Sequence, residues 1–201
     1  MVEKARLEEL ASGLAPASDG WFIVNVRDAA LETGPFGAGC FFESEAAPFA
    51  ELGINLRVLS PGDTRWLYHA ESNQENFLVL VGECLLLIEG EERPLGAWDF
   101  VHCPPHTEHA FVPAGDGPCV IAMTGARAAG WPEEGTFYPR SELALRHGVG
   151  VETETNSPRE AQAGLVEWRY ARPEGWDRLP WAMGREKISA SDQEVRDDNP
   201  G

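Results

Sequence analysis

Short apolar runs that recur about every ten residues are the feature that most limits how this chain can fold. From Trp21 to about residue 125 these runs are rich in Val, Ile, Phe and Leu, and Gly, Pro, Asp and Asn separate them. Such spacing is typical of strands joined by tight turns. Because no periodic helical segment interrupts them, we expect an all-β sandwich or closed barrel rather than an α/β fold. The predicted strands are 21–26, 38–43, 54–59, 65–71, 75–81, 84–89, 99–103, 108–112 and 118–124.

The ends of the chain have a different pattern. Leu7, Leu10 and Leu14 are spaced by three and four residues among charges, which predicts a short amphipathic helix over 3–14. Beyond the strands, short helices are predicted at 140–147 and 157–163, the second with Ser157 as N-cap and Pro158 as its first residue. We therefore divide the chain into an N-terminal helical segment (1–20), a barrel (21–125), a C-terminal extension (126–182) and a polar, flexible tail (183–201).

Large aromatic residues in the extension indicate that it is not a free tail. Trp168, Trp176 and Trp181 lie in this part of the chain, and tryptophan usually buries on the order of 150 Å² or more. We expect these side chains to cover a face of the barrel or a contact between two copies of the chain.

Composition narrows the class of partner. The chain has 33 acidic and 16 basic residues, a formal net charge of -17, which would repel nucleic acid and anionic membranes at long range. The first residues lack a secretory signal pattern and no apolar run is long enough to span a membrane, so we expect a cytoplasmic protein. The four cysteines are scattered without a C-x-x-C pair and are interpreted as reduced core residues.

Histidines and glutamates are concentrated in one part of the predicted barrel. Four of the five histidines fall within 41 consecutive residues that also include Glu71 and Glu75; the histidines are His69, His102, His106 and His109. On a strand, alternate side chains share a face, so His69 and Glu71 point the same way, and a tight turn at 72–74 would return Glu75 to that face. His109 begins a later strand and can complete the set, which is what a divalent metal needs.

Two stretches of the sequence resemble the motifs of the cupin superfamily. In the first, Gly62 is followed by His69-Ala70-Glu71, Glu75 and Gly82, with Glu71 where the family has a second histidine and one extra residue before His69. In the second, Gly96 precedes a hydrophobic strand, Pro104-Pro105-His106 and His109, with His106 where glycine is usual, and the motif's final Asn is absent. The resemblance implies a double-stranded β-helix, or jelly-roll barrel, with the short helical segments at its ends.

Carried over residue by residue, the resemblance implies that His69, Glu75 and His109 bind a divalent metal (Fe, Mn or Zn), with Glu71 a fourth ligand. It also implies a small-molecule ligand or substrate and a homodimer. The alternative is a cupin that has lost its metal, in which Glu71 forms a salt bridge or points to solvent.

Two further residues are predicted to act on a bound substrate. His106, at a turn near the barrel mouth, can transfer protons near neutral pH, although it can equally be an exposed loop residue. Arg65 shares the alternation of His69 and Glu71, so it can reach the pocket rim and bind an anionic group, although a surface position is commoner.

Two functions remain open at this point. The chain can be a metal-dependent enzyme of oxygenase, isomerase or lyase type acting on a small organic molecule, since the fold alone does not fix a reaction. It can also be a non-catalytic protein that senses or stores a small molecule or a metal.

Overall fold

Strands dominate the structure, which confirms the all-β class. The computed structural model describes residues 1–34, 37–62, 66–127, 135–165, 169–173, 176 and 179. The strands in these ranges are β1 (Leu7–Leu10), β2 (Gly13–Pro16), β3 (Leu31–Gly34), β4 (Gly37–Phe41), β5 (Leu52–Leu59), β6 (Ala70–Glu71), β7 (Glu75–Val81), β8 (Glu83–Ile88), β9 (Glu91–Gly96), β10 (Phe100–Cys103), β11 (His109–Ala114), β12 (Cys119–Ala126), β13 (Thr136–Phe137) and β14 (Arg169–Tyr170). The helices are α1 (Glu142–Arg146) and α2 (Pro158–Ala161).

Two antiparallel sheets enclose the main core. The larger has the order β10-β7-β12-β5-β4-β3-β14, and the smaller has the order β11-β8-β9. Buried side chains from both sheets form one cluster, which places the core between them, as in a double-stranded β-helix. The cluster consists of Leu59, Phe77, Val79, Cys84, Leu86, Cys103, Phe111, Cys119, Ile121 and Met123.

Strand β5 shows how the period of two sorts residues between the two faces of the larger sheet. Leu56 and Val58 pack on the outer face with residues of β3 and β4, whereas Asn55 and Arg57 line a cavity on the inner face. Leu59 continues the inner set into the main core. Polar residues therefore enter the barrel interior through the alternation of a single strand.

The outer face of the larger sheet is also covered. Leu31, Cys40 and Val58 form a second cluster there with Trp176 and Leu179 of the C-terminal extension. Trp176 is 3% exposed, so the extension packs on the barrel at this point. Trp168, Trp181 and the tail 183–201 lie outside the described residues.

The predicted N-terminal helix at 3–14 is wrong. Residues 7–16 form the antiparallel hairpin β1-β2, in which Leu7 pairs with Pro16 and Leu10 with Gly13. The buried Ser12 hydroxyl fixes the turn, because Oγ donates to the Leu31 carbonyl (2.6 Å) and accepts from the Leu31 N–H (2.9 Å). These long-range bonds override the local helical spacing of the leucines.

Other differences in the strands have local causes. The predicted strand at 21–26 is reduced to a bridge between Trp21 and Lys4, because the Asn25 side chain and carbonyl accept N–H bonds that form a turn. Of the predicted strand 65–71, the structure describes residues 66–71, and among these only Ala70–Glu71 is a strand. The apolar pattern does not predict β9, because it is a polar edge strand that contains Pro94.

Predictions that depended on local signals agree with the structure. Both C-terminal helices are present, and α2 begins after Ser157, whose hydroxyl accepts the Glu160 N–H, with Pro158 in its first turn. All four cysteines are buried and free. Among the described residues, no helix is long and apolar enough to cross a membrane.

Candidate metal centre

Three of the predicted metal ligands come together at one end of the barrel. Glu75 begins β7 and His109 begins β11, while His69 forms an isolated antiparallel bridge with His109. Backbone N–H groups of the two histidines donate to each other's carbonyls at 3.0 and 2.8 Å, and their ring centroids are 4.9 Å apart. One potential ligand atom from each of His69, Glu75 and His109 lies within 4.8 Å of the others.

Backbone contacts fix the orientation of both imidazoles. His69 Nδ1 lies 2.7 Å from the Leu67 carbonyl and His109 Nδ1 lies 3.0 Å from the Thr107 carbonyl. A carbonyl only accepts, so each Nδ1 carries the proton, and a neutral ring presents the lone pair of Nε2 to the site. Hydrogen bonds of this kind hold metal-binding histidines in the correct tautomer.

The atoms that face one another in this group are hydrogen-bond acceptors. His109 Nε2 lies 3.5 Å from Glu75 Oε2, and His69 Nε2 lies 3.7 Å from Glu71 Oε1. Within the described part of the chain, His109 Nε2 and Glu71 Oε2 are buried without a hydrogen-bond partner. Buried acceptors that point at one another are costly unless a proton or a cation lies between them. The donor set therefore fits a divalent cation.

Burial favours the neutral form of each of these groups. It lowers the pKa of His109 to about 3, with a smaller contribution from His69, and it lowers the pKa of His69. Burial also raises the pKa of Glu71 to about 7 and, together with the Glu71 charge, the pKa of Glu75 to about 8. Neutral imidazoles are the form that binds metals, and a cation would favour ionisation of the carboxyl groups.

Glu71 lies at the edge of this group. Its Oε1 accepts a hydrogen bond from the Thr136 hydroxyl at 3.1 Å, and Thr136 belongs to β13, which pairs with β6. Glu71 is 9% exposed, so the alternative in which it points to solvent does not describe this structure. The three residues whose ligand atoms lie closest together do not include it.

A cavity of about 400 Å³ opens beside the candidate ligands. His69, Glu71 and Glu75 lie in its wall, whereas His109 is fully buried behind them. Tyr138 and Gln162, from the C-terminal extension, also line it. The cavity has the size of a small-molecule site.

The other predicted functional residues lie away from these ligands or outside the described structure. His106 is exposed in a turn with φ 69°, and its side chain is not among those that line the cavity. His102 is exposed and its Nδ1 contacts Asn76 Oδ1 at 2.7 Å, so Cys103, which is buried in the core, is the inward member of that pair. Arg65 lies outside the described residues.

Several residues that line the cavity or contact the candidate ligands were not predicted from the sequence. The sequence pattern does indicate Asn55 and Arg57, because they are polar residues at alternate positions of a strongly apolar strand. No local sequence pattern indicates Thr136 and Tyr138, because they reach the site only through the pairing of β13 with β6 and the packing of the extension.

Comparison with known families decides the identity of this barrel. The sequence profile of the cupin domain family matches residues 55–125, which include all four predicted ligands. Residues 55–125 of this chain are a cupin domain. No curated protein matches this cupin.

Solved structures resemble parts of this cupin. A protein from Acidithiobacillus ferrooxidans is 30% identical over 39% of this chain and 51% of its own, about half its length, with a TM-score of 0.36. A sugar phosphate isomerase of the cupin superfamily from Silicibacter pomeroyi is 23% identical, covers 55% of this chain and 70% of its own, and has a TM-score of 0.43. The polyketide cyclase RemF from Streptomyces resistomycificus is 15% identical, with 53% and 79% coverage and a TM-score of 0.46. With TM-scores below 0.5, these similarities do not bear on the activity of this chain.

Proposed function

We propose that this cupin is a metal-dependent enzyme of oxygenase, isomerase or lyase type that acts on a small organic molecule in the barrel cavity. His69, Glu75 and His109 would hold the metal, with Glu71 as a fourth ligand. The observation that carries the proposal is the orientation of the two histidines, whose Nδ1 atoms are fixed by backbone carbonyls while Nε2 faces the carboxylates.

The donor set suits Fe, Mn or Zn. Two imidazoles and one carboxylate that leave coordination positions open are the arrangement of non-haem iron oxygenases, and zinc also binds such groups. A bound divalent ion supplies Lewis acidity that polarises a substrate oxygen and lowers the pKa of a coordinated water.

Other residues of the chain would orient the ligands, shield them or contact the substrate. Thr136 orients Glu71 through its hydroxyl, and Tyr138, whose ring centroid is 5.8 Å from that of His69, shields the ligands from the side of the extension. Phe77 packs against His109 at a centroid distance of 5.1 Å, which keeps that imidazole in an apolar setting. We also propose that His106 and Arg65 act on a bound substrate.

An open coordination position on the metal would favour an enzyme over a storage protein. Glu71, Glu75 and His69 lie in the cavity wall, so a ligand in the cavity could approach the metal directly. The second candidate function is a non-catalytic metal- or small-molecule-binding protein. The nearness of Glu71 to His69 favours it, because a fourth protein ligand would make the coordination more closed.

Metal analysis followed by reconstitution tests the proposal. The metal content of the protein as isolated is measured, and the stripped protein is then reloaded with Fe(II), Mn(II) or Zn(II). Each form is assayed on a panel of small acids, phenols and sugars. We expect near-stoichiometric metal and turnover with one metal, both lost in a His69→Ala/His109→Ala variant and kept in His102→Ala, whose imidazole lies on the exposed face. Metal binding without turnover would favour the second function. If the protein binds no metal, both the metal-dependent enzyme and the metal-binding protein are refuted.

A further inference from the structure

A cationic side chain lies in the same cavity wall as the candidate metal ligands. Arg57 projects inward from β5 and lines the cavity with His69 and Glu75. Its guanidinium carbon is 5.0 Å from the ring centroid of Phe41 and 5.6 Å from that of Trp66. Contacts of this kind with two rings are cation–π interactions, and they hold the guanidinium in a defined place.

A glycine on the neighbouring strand makes room for this guanidinium. Gly39 of β4 is the direct pairing partner of Arg57. A Cβ atom at residue 39 would lie 2.7 Å from Arg57 Nη1 and 2.9 Å from Phe41 Cε2. The space that the glycine leaves is therefore occupied by the arginine head group.

Arg57 stays charged at neutral pH. Burial lowers the pKa of its guanidinium to about 10, and the charge of Glu32, which lines the same cavity, opposes that change. Arg127 also lines the cavity, and its Nη1 donates to Glu43 Oε2 at 2.7 Å and to the Phe49 carbonyl at 2.5 Å.

A buried acceptor lies two residues before Arg57 on the same strand. Asn55 also lines the cavity, and its Oδ1 is buried without a hydrogen-bond partner among the residues that the structure describes. Buried carbonyl oxygens of this kind are normally satisfied. A ligand that donates an O–H or N–H group at this point would satisfy it.

We propose that the cavity takes a small organic anion, whose carboxylate or phosphate oxygens accept N–H bonds from Arg57 and whose neighbouring hydroxyl or amine donates to Asn55 Oδ1. The guanidinium fork matches both oxyanions, so carboxylate and phosphate share this chemistry. This inference rests on the proposed function in one respect, because it names the class of substrate for the same cavity.

The net charge of the chain does not exclude such a ligand. A formal charge of -17 repels anions at long range, but salt screens charges beyond about 8 Å at physiological ionic strength. A buried guanidinium acts at contact distance, where screening is weak. Glu32, Glu71 and Glu75 line the same cavity, so selectivity for an anion depends on direct contact with the guanidinium of Arg57 rather than on the surface charge.

Matched aromatic probes test the inference on the intact wild-type chain. The metal is stripped and the chelator removed by gel filtration, after which binding is measured by calorimetry. Phenylacetate is expected to bind about 10-fold or more tightly than its neutral analogue phenylacetamide, because hydrogen bonds to charged groups contribute that much. Mandelate, which adds a hydroxyl beside the carboxylate, is expected to bind more tightly than phenylacetate. Phenyl phosphate in the same assay distinguishes a phosphate site from a carboxylate site.

Variants assign the effect to the named residues. Arg57→Gln is expected to reduce phenylacetate affinity to the level of phenylacetamide, whereas Arg93→Gln, which removes the same charge from the exposed strand β9, leaves it unchanged. In Asn55→Leu the preference for mandelate over phenylacetate is expected to disappear. Equal affinity of wild type for phenylacetate and phenylacetamide would overturn the inference without any variant, and so would unchanged affinity in a folded Arg57→Gln protein.

Failure of this inference can be told apart from failure of the proposed function. Anion binding is measured without metal, and metal binding is measured separately in Arg57→Gln, where we expect it to persist because Arg57 is not among the candidate ligands. Anion selectivity in a chain that binds no metal would leave the inference standing and refute the metal centre. Metal binding without anion selectivity would refute the inference and leave the metal centre standing.

Discussion

Replacing Glu75 with glutamine removes one proposed ligand while keeping the size of the side chain. The carboxylate oxygen that lies 3.5 Å from His109 Nε2 is replaced by an amide, which can donate to that buried acceptor. We therefore expect opposite effects in the two states of the protein. The variant should bind metal much more weakly, yet should be no less stable than wild type when metal is absent.

The expected loss of metal affinity is large. Changes to residues that only orient metal ligands cost about 10- to 100-fold in affinity, so removing a ligand should cost at least about 100-fold. At a metal concentration of about 100 times the wild-type Kd, binding stabilises the native state by about 2.7 kcal/mol. For a chain of this length that corresponds to a rise in Tm of roughly 5–11 °C. At the same metal concentration the variant would be near its own Kd, so its Tm should rise by only about 1 °C.

The metal-free comparison has a defined pH dependence. Burial raises the pKa of Glu75 from 4.5 to about 8, so its contribution to stability is present below pH 4.5 and is lost as the pH rises through about 8. At about 1.4 kcal/mol per pKa unit, the cost of ionising this carboxyl is on the order of a few kcal/mol. Glutamine does not ionise, so the metal-free variant should melt higher than wild type at pH 9 and gain less at pH 5.

Thermal melts with and without metal test both statements. Wild type, Glu75→Gln and the control Glu154→Gln, which changes an exposed glutamate, are followed by circular dichroism with Mn(II), with Zn(II) and with chelator. The control should behave as wild type. A metal-induced rise in Tm of the wild-type size in Glu75→Gln would show that Glu75 is not a ligand, and a metal-free variant that is much less stable at pH 9 would refute the reasoning from burial.

Further predictions concern the fold and its assembly. Phe77→Ala, at a side chain 2% exposed in the main core, should lower the free energy of unfolding by about 3–5 kcal/mol in urea melts, and a loss below about 1 kcal/mol would mean that the core is placed wrongly. Ser12→Ala should cost about 1–3 kcal/mol, because the buried Leu31 N–H and carbonyl lose their partner; Ser18→Ala, whose hydroxyl accepts an exposed bond, is the milder control. Burial acts to raise the pKa of Glu43, but hydrogen bonds from Arg127 and the Phe49 N–H, with the charge of Arg127, lower it overall. The stability that Glu43→Gln removes in urea melts should therefore be present above pH 4.5 and should shrink as the pH falls through the lowered pKa. Sedimentation at micromolar concentration should give the mass of a dimer, and a monomer would contradict that prediction.

Much of the candidate site could be predicted from local sequence. The spacing of His69, Glu71 and Glu75 around a turn, and of His109 at the start of a later strand, depends on the period of two along a strand, which is a property of the extended backbone itself. The structure places three of these side chains within 4.8 Å. The capping residues of α2 were predictable for a similar reason, since a cap involves only neighbours in the chain.

What the sequence could not determine depends on pairing between distant segments. The leucines of residues 3–14 have helical spacing, but hydrogen bonds from Ser12 to Leu31, 19 residues away, stabilise a hairpin instead. Thr136 reaches Glu71 across 65 residues. Loop closure over such separations has no local signature, so propensity and periodicity do not report it.

The sequence by itself determined the all-β class, the cupin resemblance and the set of ionisable residues from which a metal centre could form, because strand alternation is encoded in neighbouring residues. Only the tertiary structure decided the tautomers of His69 and His109, the place of Glu71 beside Thr136, and the entry of Arg57 into the cavity. These features depend on which carbonyl, hydroxyl or glycine from another strand lies opposite each side chain, and that is fixed by the register of the sheets.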